Sequence, residues 1–180
     1  MRSAGLPIAA IVYPEGSPVD DLLADAVARM RTAGVRVAGF LQAHMPTTDQ
    51  CCGAMLLTDI EDGTQIDISQ KLGPLSSSCK LDSAALAEAA SRLDRIVASR
   101  PDLLLINRFG KAEVEGRGLR SGIEQAILGG VPVLLSVRAD YAVPFQVFHG
   151  GLGEILPADI EEVLRWCRTA TGLAGLQAAE

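Results

Sequence analysis

Long apolar runs are missing from this sequence of 180 residues. No stretch approaches the roughly 20 consecutive apolar residues that a membrane-spanning helix needs, so we expect no membrane contact. The segment 1–16 joins a short apolar stretch to a charged turn and lacks a small-residue cleavage site. That pattern is typical of a core strand and not of a signal peptide, and it favours a cytoplasmic protein.

An excess of positive charge is also missing. The chain has 16 Lys and Arg against 22 Asp and Glu, a net charge of -6. This balance excludes general binding to nucleic acid, although a local basic cluster still suits a small anion. Because there are no internal repeats and no linker, we predict one domain over residues 1–180, with a hairpin insertion at about 52–70 and a frayed tail at 172–180.

Cysteine is scarce and has no disulfide-framework spacing. Reduced thiols are therefore expected. Cys51 and Cys52 are adjacent, which does not match the C-x-x-C spacing of metal sites, so we predict no metal. A soft-metal or reactive-thiol role for Cys51, Cys52 and Cys79 stays open as the alternative. Cys167 falls on the apolar stripe of the last predicted helix and belongs to the core.

Short continuous apolar runs indicate buried strands. They cover residues 8–13, 35–41, 103–106 and 131–137, with a further short strand at Ile155. Helical patterns alternate with these runs, which predicts an α/β fold with a mainly parallel sheet in which the first two strands form a parallel pair. Two short strands around Glu61-Asp62-Gly63 indicate a small β-hairpin insertion.

Polar residues mark the expected starts of the helices. Ser17 is predicted to cap the first helix, with Pro18 at its first position. Asp82 is predicted to cap a long helix that Arg100-Pro101 ends, and Ser121–Glu124 resembles a capping box. Residues 141–149 are predicted to form a short helix or turn.

Ligands of an open parallel sheet bind beyond the carboxyl ends of its strands. Three segments should therefore meet there: residues 14–20, residues 107–120 and the loop after Val137.

The first of these segments can be compared with the phosphate loop G-x-x-x-x-G-K-[S/T] of nucleotide hydrolases. In this alignment Tyr13 takes the position of the first glycine and Pro18 that of the second. Val19 takes the position of the lysine, and Asp20 that of the Ser/Thr. Pro18 has no amide hydrogen, Val19 has no charge, and Asp20 would bring a carboxylate towards the phosphates. Only Gly16 is similar to a residue of such a loop.

The second segment is "LLLINRFGKAE". In the THEP1-type nucleoside-triphosphatases a strand ends in Asp-Glu-x-Gly-x-x-Glu, and this chain resembles that family. Asn107 and Arg108 occupy the positions of Asp and Glu in that pattern, while Gly110 and Glu113 match its glycine and its last glutamate. Since magnesium prefers carboxylates, Asn107 is a poor ligand. We therefore do not expect ATP or GTP hydrolysis.

A closer resemblance is to the DUF2478 family, carried by "ISQKLGPLSSSCKLD" and "INRFGKAEVEGRGLR" and covering about residues 6–170. It implies a P-loop-like three-layer fold with degenerate phosphate-loop and acid motifs. It also implies a link to molybdate or oxyanion metabolism, and it brings no established catalytic residues.

Basic side chains and glycines favour an oxyanion site after the strand predicted at residues 103–106. The alternative is a solvated basic loop paired with Glu113 and Glu115. The stretch "PLSSSCK" could cradle an anion or be a polar surface loop, and His149 could contact a ligand or be a hydrogen-bonded loop histidine. The candidate ligand-binding residues are Glu15, Gly16, Ser17, Ser78, Lys80, Asn107, Arg108, Gly110, Lys111, Arg117, Arg120 and His149.

Three functions follow. The first is a non-hydrolytic protein that binds a small anion (phosphate, molybdate) or a nucleotide, with no certain cofactor. The second is a divergent nucleoside-triphosphatase or phosphotransferase with Glu113 or Glu15 as its acid. The third is a regulatory or assembly module that binds a protein partner through the hairpin near Ile60–Ile68, and a homo-oligomer also stays open.

Overall fold

The computed structural model describes residues 7–45, 54–70 and 81–173. Within these ranges the chain forms one sheet of seven strands in the order β4-β3-β2-β5-β6-β1-β7. The strands are β1 (Ile8–Tyr13), β2 (Val37–Met45), β3 (Ala54–Asp59), β4 (Gln65–Asp67), β5 (Leu103–Phe109), β6 (Val133–Arg138) and β7 (Glu154–Leu156). Strands β2, β5, β6, β1 and β7 pair in parallel, while β3 and β4 add an antiparallel hairpin beside β2. The predicted α/β class with a hairpin insertion is confirmed.

Helices cover both faces of this sheet. They are α1 (Val19–Thr32), α2 (Ser83–Ala98), α3 (Lys111–Val114), α4 (Arg120–Leu128), α5 (Ala142–His149) and α6 (Ile160–Ala170), and a 3-10 turn (Ala139–Tyr141) precedes α5. Pro144 lies in the first turn of α5, where a missing amide hydrogen costs nothing.

Alternate residues of the central strands pack against the two helix layers. Leu103 and Leu105 point to the side of α1 and α6, which we call the α1 face. Leu104 and Ile106 point to the side of α2, α4 and α5, which we call the α2 face. Strands buried on both faces need apolar residues at every position, which explains the continuous apolar runs of the sequence.

The first two strands are not neighbours. The ladder Ile8↔Val133 joins β1 to β6, and the ladder Val37↔Leu103 joins β2 to β5. The expected parallel pair of β1 and β2 is therefore wrong: the strands are parallel, but β6 and β5 lie between them. A helical crossover reaches past intervening strands, so a strand-helix-strand pattern does not define which strands hydrogen-bond.

One predicted helix cap is confirmed and another is wrong. The Asp82 carboxylate accepts a hydrogen bond from the amide of Ala85 at 2.8 Å, as expected of an N-cap. In contrast, Pro18 occupies the N-cap position of α1 and no side chain caps this helix. The amide of Ser17 donates to the Pro14 carbonyl at 3.2 Å, so Ser17 belongs to a tight turn.

The capping box predicted at Ser121 is also wrong. Helix α4 begins at Arg120 with Leu119 as its N-cap. The Glu124 carboxylate accepts a hydrogen bond from Arg120 Nε at 2.8 Å, so it is not the partner of the Ser121 amide. The short helix α3 was not expected, because its four residues are too few for a periodic pattern.

The hairpin belongs to the core. Ile60, Ile66 and Ile68 are each 7% exposed or less, so they offer no apolar surface to a partner. The Asp59 carboxylate, itself buried, accepts a hydrogen bond from Arg92 of α2 and ties the hairpin to the α2 face. No helix in the described part of the chain is long and apolar enough to cross a membrane.

Candidate anion site at the carboxyl edge

A bulge ends strand β5 at the carboxyl edge of the sheet. Ile106 pairs with Leu135, but the next pair joins Phe109 to Val137, so β5 holds one extra residue there. As a result Phe109 joins Ile106 on the α2 face. A bulge next to a site commonly re-aims a side chain, and here Asn107 and Arg108 are the residues of the bulge.

Asn107 is fully buried and has its hydrogen bonds satisfied. Its Oδ1 accepts from the hydroxyl of Ser136 on β6. Its Nδ2 donates to Asp20 Oδ1 at 2.8 Å, and more weakly to the Gln42 carbonyl at 3.5 Å. Asn107 therefore links β5, β6, β2 and the start of α1.

Arg108 and Arg138 stand at the ends of neighbouring strands. The Arg108 guanidinium is 3.4 Å from Asp20 and lies over the Tyr13 ring, with Cζ 5.8 Å from the ring centre. Arg138 is the register partner of Tyr13 and is 2.7 Å from the Asp140 carboxylate. The structure thus brings together the three segments that the sequence placed at this edge.

Three buried donors at this edge have no hydrogen-bond partner among the described residues: the Tyr13 hydroxyl, Arg108 Nε and Arg138 Nε. Tyr13 is only 3% exposed. Burial, the largest cause, raises the pKa of the Tyr13 phenol above its usual value of 10.0, although the two arginines oppose this shift. The phenol therefore stays a hydrogen-bond donor. A group of unsatisfied buried donors needs an acceptor to offset its cost.

A cavity of about 600 Å³ opens beside these arginines on the α2 face, and we call it the α2-face cavity. Its apolar wall comprises Met55, Leu57, Ile68, Leu86, Phe109 and Leu119. Its charged and polar lining includes Arg108, Arg138, Lys111, Arg117, Glu113 and Gln42. The cavity therefore combines a cationic end with an apolar body.

The glycine-rich loop after β5 is held by a buried carboxylate. Glu113 is 6% exposed, and its two oxygens accept the amides of Gly110 at 2.9 Å and Leu119 at 3.1 Å. Burial raises the pKa of Glu113, while these two backbone hydrogen bonds act in the opposite direction. Gly118 is needed there, because a Cβ atom would lie 2.4 Å from Glu113 Oε1.

The other basic residues of this loop have carboxylate partners. Arg117 and Lys111 both pair with Glu115, and Lys111 does so at 3.8 Å. Arg120 bonds to Glu124 and lies over the Phe148 ring at 4.9 Å. The interpretation as a paired, solvated loop therefore describes Lys111 and Arg117 in part, although both also line the α2-face cavity.

The turn between β1 and α1 is closed by a hydrogen bond within its own backbone. Gly16 has a φ of +81°, and the Ser17 amide is used within the turn. Glu15 and Gly16 are exposed. A backbone amide that closes its own turn cannot also point at a phosphate.

His149 lies at the opposite edge of the sheet, which corrects its predicted place near the ligand. Its ring packs against Gly153, whose other neighbour is Ile8 at the amino end of β1. Its Nδ1 accepts the Gly153 amide at 3.0 Å, and burial lowers the pKa of the imidazole. The predicted Ser78, Lys80, Cys51, Cys52 and Cys79 lie outside the described residues.

Tyr13 and Arg138 were missed by sequence reasoning as members of this site. Arg138 comes directly after the strand predicted at residues 131–137, as Arg108 comes shortly after the one predicted at residues 103–106, so the same rule would have found it. Tyr13 is the last residue of β1. A tyrosine at this position does not by itself indicate a binding site, because the arginines beside it are brought there only by the fold. In residues 7–45, 54–70 and 81–173, no group of three His, Cys, Asp or Glu side chains could hold a metal ion.

The sheet order and the segments at its carboxyl edge define a P-loop-like α/β protein. The solved structure of a human cancer-related nucleoside triphosphatase superposes with a TM-score of 0.61 over 96% of this chain and 98% of that chain. At 15% identity this likeness shows the fold alone.

The model of DUF2478, a protein family of unknown function, matches residues 8–166, and the chain belongs to that family. A curated relative is the molybdenum import ATP-binding protein ModC 2 of Bradyrhizobium diazoefficiens, 36% identical over 161 residues. The match covers 89% of this chain but only 18% of that longer protein.

Proposed function

We propose that this protein binds one oxyanionic group between Arg108 and Arg138 without hydrolysing it. The observation that carries the proposal is the set of buried donors without partners in the described residues: the Tyr13 hydroxyl and the Nε atoms of both arginines. Arginine is well suited to a tetrahedral or planar oxyanion, because its donors lie in a fixed fork. The position of these donors beyond parallel strands is where such folds place ligands.

The lack of hydrolysis is supported by Asp20 and Asn107. In phosphoryl-transfer sites of this class, the phosphate-loop Ser/Thr and the strand-end acid hold magnesium together. Here the two side chains at these positions hydrogen-bond directly at 2.8 Å. The contact leaves no opening for an ion between them, and Val19 offers no charge to a phosphate.

Phosphate and molybdate both have the charge and the acceptor atoms that this site needs. The name of the relative ModC 2 mentions molybdenum import, which makes molybdate the first oxyanion to test. Sulfate and tungstate are the matching comparisons, because both keep the tetrahedral shape and charge of molybdate, while sulfate is smaller and tungstate is nearly the same size.

Thermal unfolding with phosphate, sulfate, molybdate, tungstate and ATP tests the proposal, since a ligand of the native state raises stability. We expect at least one anion to raise the melting temperature of the wild type but not that of the R108A/R138A variant. Arg29→Ala with Arg165→Ala is the matched control, because both arginines lie on helix surfaces and pair with carboxylates. Equal shifts in the wild type and R108A/R138A would overturn the site.

The enzymatic alternative lacks a supporting contact. Glu15 is exposed in its turn, and both oxygens of Glu113 accept backbone amides. The enzymatic alternative predicts that the wild type hydrolyses ATP or GTP and that Glu113→Gln does not. Phosphate release by the wild type above that of Glu113→Gln would favour it over the binding proposal.

A further inference from the structure

We infer that the ligand is an organic anion, in which a single oxyanionic group is attached to an apolar body that fills the α2-face cavity. This inference rests on the proposed function and adds the class of ligand. It depends on the cavity itself, on the placement of charge around it and on the number of cations available.

The size of the α2-face cavity exceeds what a bare oxyanion fills. Its volume of about 600 Å³ lies within the roughly 300–1,000 Å³ of sites that enclose drug-sized and cofactor-sized molecules. Phosphate or molybdate held at the arginines would leave most of this space to water. An apolar surface in contact with water is costly, so a ligand with an apolar body gains by covering it.

The walls of the cavity suit an apolar body. Met55 and Leu57 of β3, Leu86 of α2, Phe109 and Leu119 supply its apolar lining. Met55 and Leu86 are only half-buried, so they have apolar surface left for a ligand to cover. Phe109 is itself buried, and edge contact with Phe145 at 5.2 Å between ring centres fixes it. A wall that core packing fixes needs no rearrangement when a ligand binds.

The charge distribution favours one anionic group over a triphosphate. Arg108 and Arg138 each have a carboxylate beside one end of the guanidinium, Asp20 and Asp140 respectively. Lys111 and Arg117 also line the cavity, and both pair with Glu115. Carboxylates so close to the cations would repel additional phosphates, so one oxyanionic group matches the site.

Isothermal titration with inorganic phosphate, phenyl phosphate, AMP and ATP tests this inference. We expect phenyl phosphate to bind the wild type at least about tenfold more tightly than inorganic phosphate, because its ring leaves water. We also expect AMP to bind at least as tightly as ATP. In R108A/R138A, both phosphate and phenyl phosphate should lose at least about tenfold in affinity.

Filling the cavity should remove the advantage of the ring. Met55→Trp is expected to reduce the affinity ratio of phenyl phosphate to phosphate to about one, and Leu86→Phe narrows the same cavity if Met55→Trp does not fold. Leu128→Trp is the matched control, because Leu128 is 88% exposed outside the cavity. Leu128→Trp should have the same affinity ratio of phenyl phosphate to phosphate as the wild type.

The outcomes separate the two proposals. Equal affinities for phenyl phosphate and phosphate in the wild type, both lost in R108A/R138A, would overturn the organic ligand and leave the anion site standing. ATP binding at least tenfold more tightly than AMP would also overturn the inference. Absence of binding by every compound, or binding unchanged in R108A/R138A, would overturn both.

Discussion

Asn107 donates a hydrogen bond to Asp20 at 2.8 Å, across 87 residues of sequence. In a phosphate-loop hydrolase these positions carry a hydroxyl and an acid that face a magnesium ion. Here the carboxylate stands on the helix and the amide on the strand, so the two sides complement each other without a metal. Arg108, 3.4 Å from the same carboxylate, adds a positive charge where the hydrolases have a second acid.

Exchanging the two side chains tests whether this contact matters for stability. Asn107→Asp should lower the free energy of unfolding by about 2–4 kcal/mol, because it buries a second carboxylate against Asp20. The exchanged pair D20N/N107D should recover more than half of that loss, since an amide and a carboxylate again face each other. Urea unfolding of the wild type, both single variants and the pair gives the coupling. A pair that is no more stable than Asn107→Asp alone would contradict the complementarity.

Glu113 should make stability depend on pH in an unusual direction. Burial raises the pKa of Glu113 above its ordinary value of 4.5, so the folded state binds this proton more tightly than the unfolded state. The free energy of unfolding that Glu113 contributes must therefore fall as the pH rises from 4.5 through the raised pKa. The measurement is the difference in unfolding free energy between the wild type and Glu113→Gln across that range. A difference that rises with pH would show that the two backbone hydrogen bonds outweigh burial.

Gly39 should tolerate no side chain. It has a φ of +116°, and a Cβ atom would lie 2.0 Å from the carbonyl oxygen of Leu105 on the neighbouring strand. Gly39→Ala should cost more than about 3 kcal/mol, because backbone on both sides must move. Gly63→Ala is the control: its φ is +75° with nothing within 4 Å, so only about 1 kcal/mol is expected. Equal midpoints of urea unfolding for the two variants would refute the close approach.

Cys167 should be inert in the folded protein. Its side chain is fully buried, and burial raises the pKa of the thiol to about 12. At pH 8 that corresponds to about one thiolate in 10⁴, and the reagent has no access. In a C51S/C52S/C79S variant, reaction with a disulfide reagent should follow the unfolding rate in buffer and become immediate in urea. Rapid reaction in buffer would place Cys167 outside the core.

The elements with one dominant local signal could be predicted from the sequence. Residues 8–13 form a buried strand as expected, because a strand covered on both faces must be apolar throughout. Asp82 caps α2 because its own side chain reaches an amide three residues ahead. The predicted caps at Ser17 and Ser121 failed where turn closure and an Arg120–Glu124 pair decided the helix start instead.

The candidate site was predictable only in outline. Arg108 and Asn107 followed from their place after a buried strand, and their membership in the ligand-binding set stays a prediction. His149 did not follow the rule, because helix α5 carries it back to the amino edge near Ile8. Arg138 was overlooked, although its position at the end of β6 obeys the same rule as that of Arg108.

The sequence by itself determined the alternation of apolar strands and amphipathic helices. A strand buried on both faces is apolar throughout, whereas a helix buried on one face has apolar residues at helical spacing. Aligned with the phosphate-loop and strand-end acid patterns, the sequence also placed Val19 at the position of the lysine and Asn107 at the position of an acid. Only the tertiary structure decided that Asn107, Asp20 and Ser136 meet, that Arg108 and Arg138 adjoin Tyr13, and that a cavity opens between them and the hairpin. Those contacts join residues as far apart in the sequence as Tyr13 and Arg138, and the strand order and the bulge that create them depend on packing across the whole sheet.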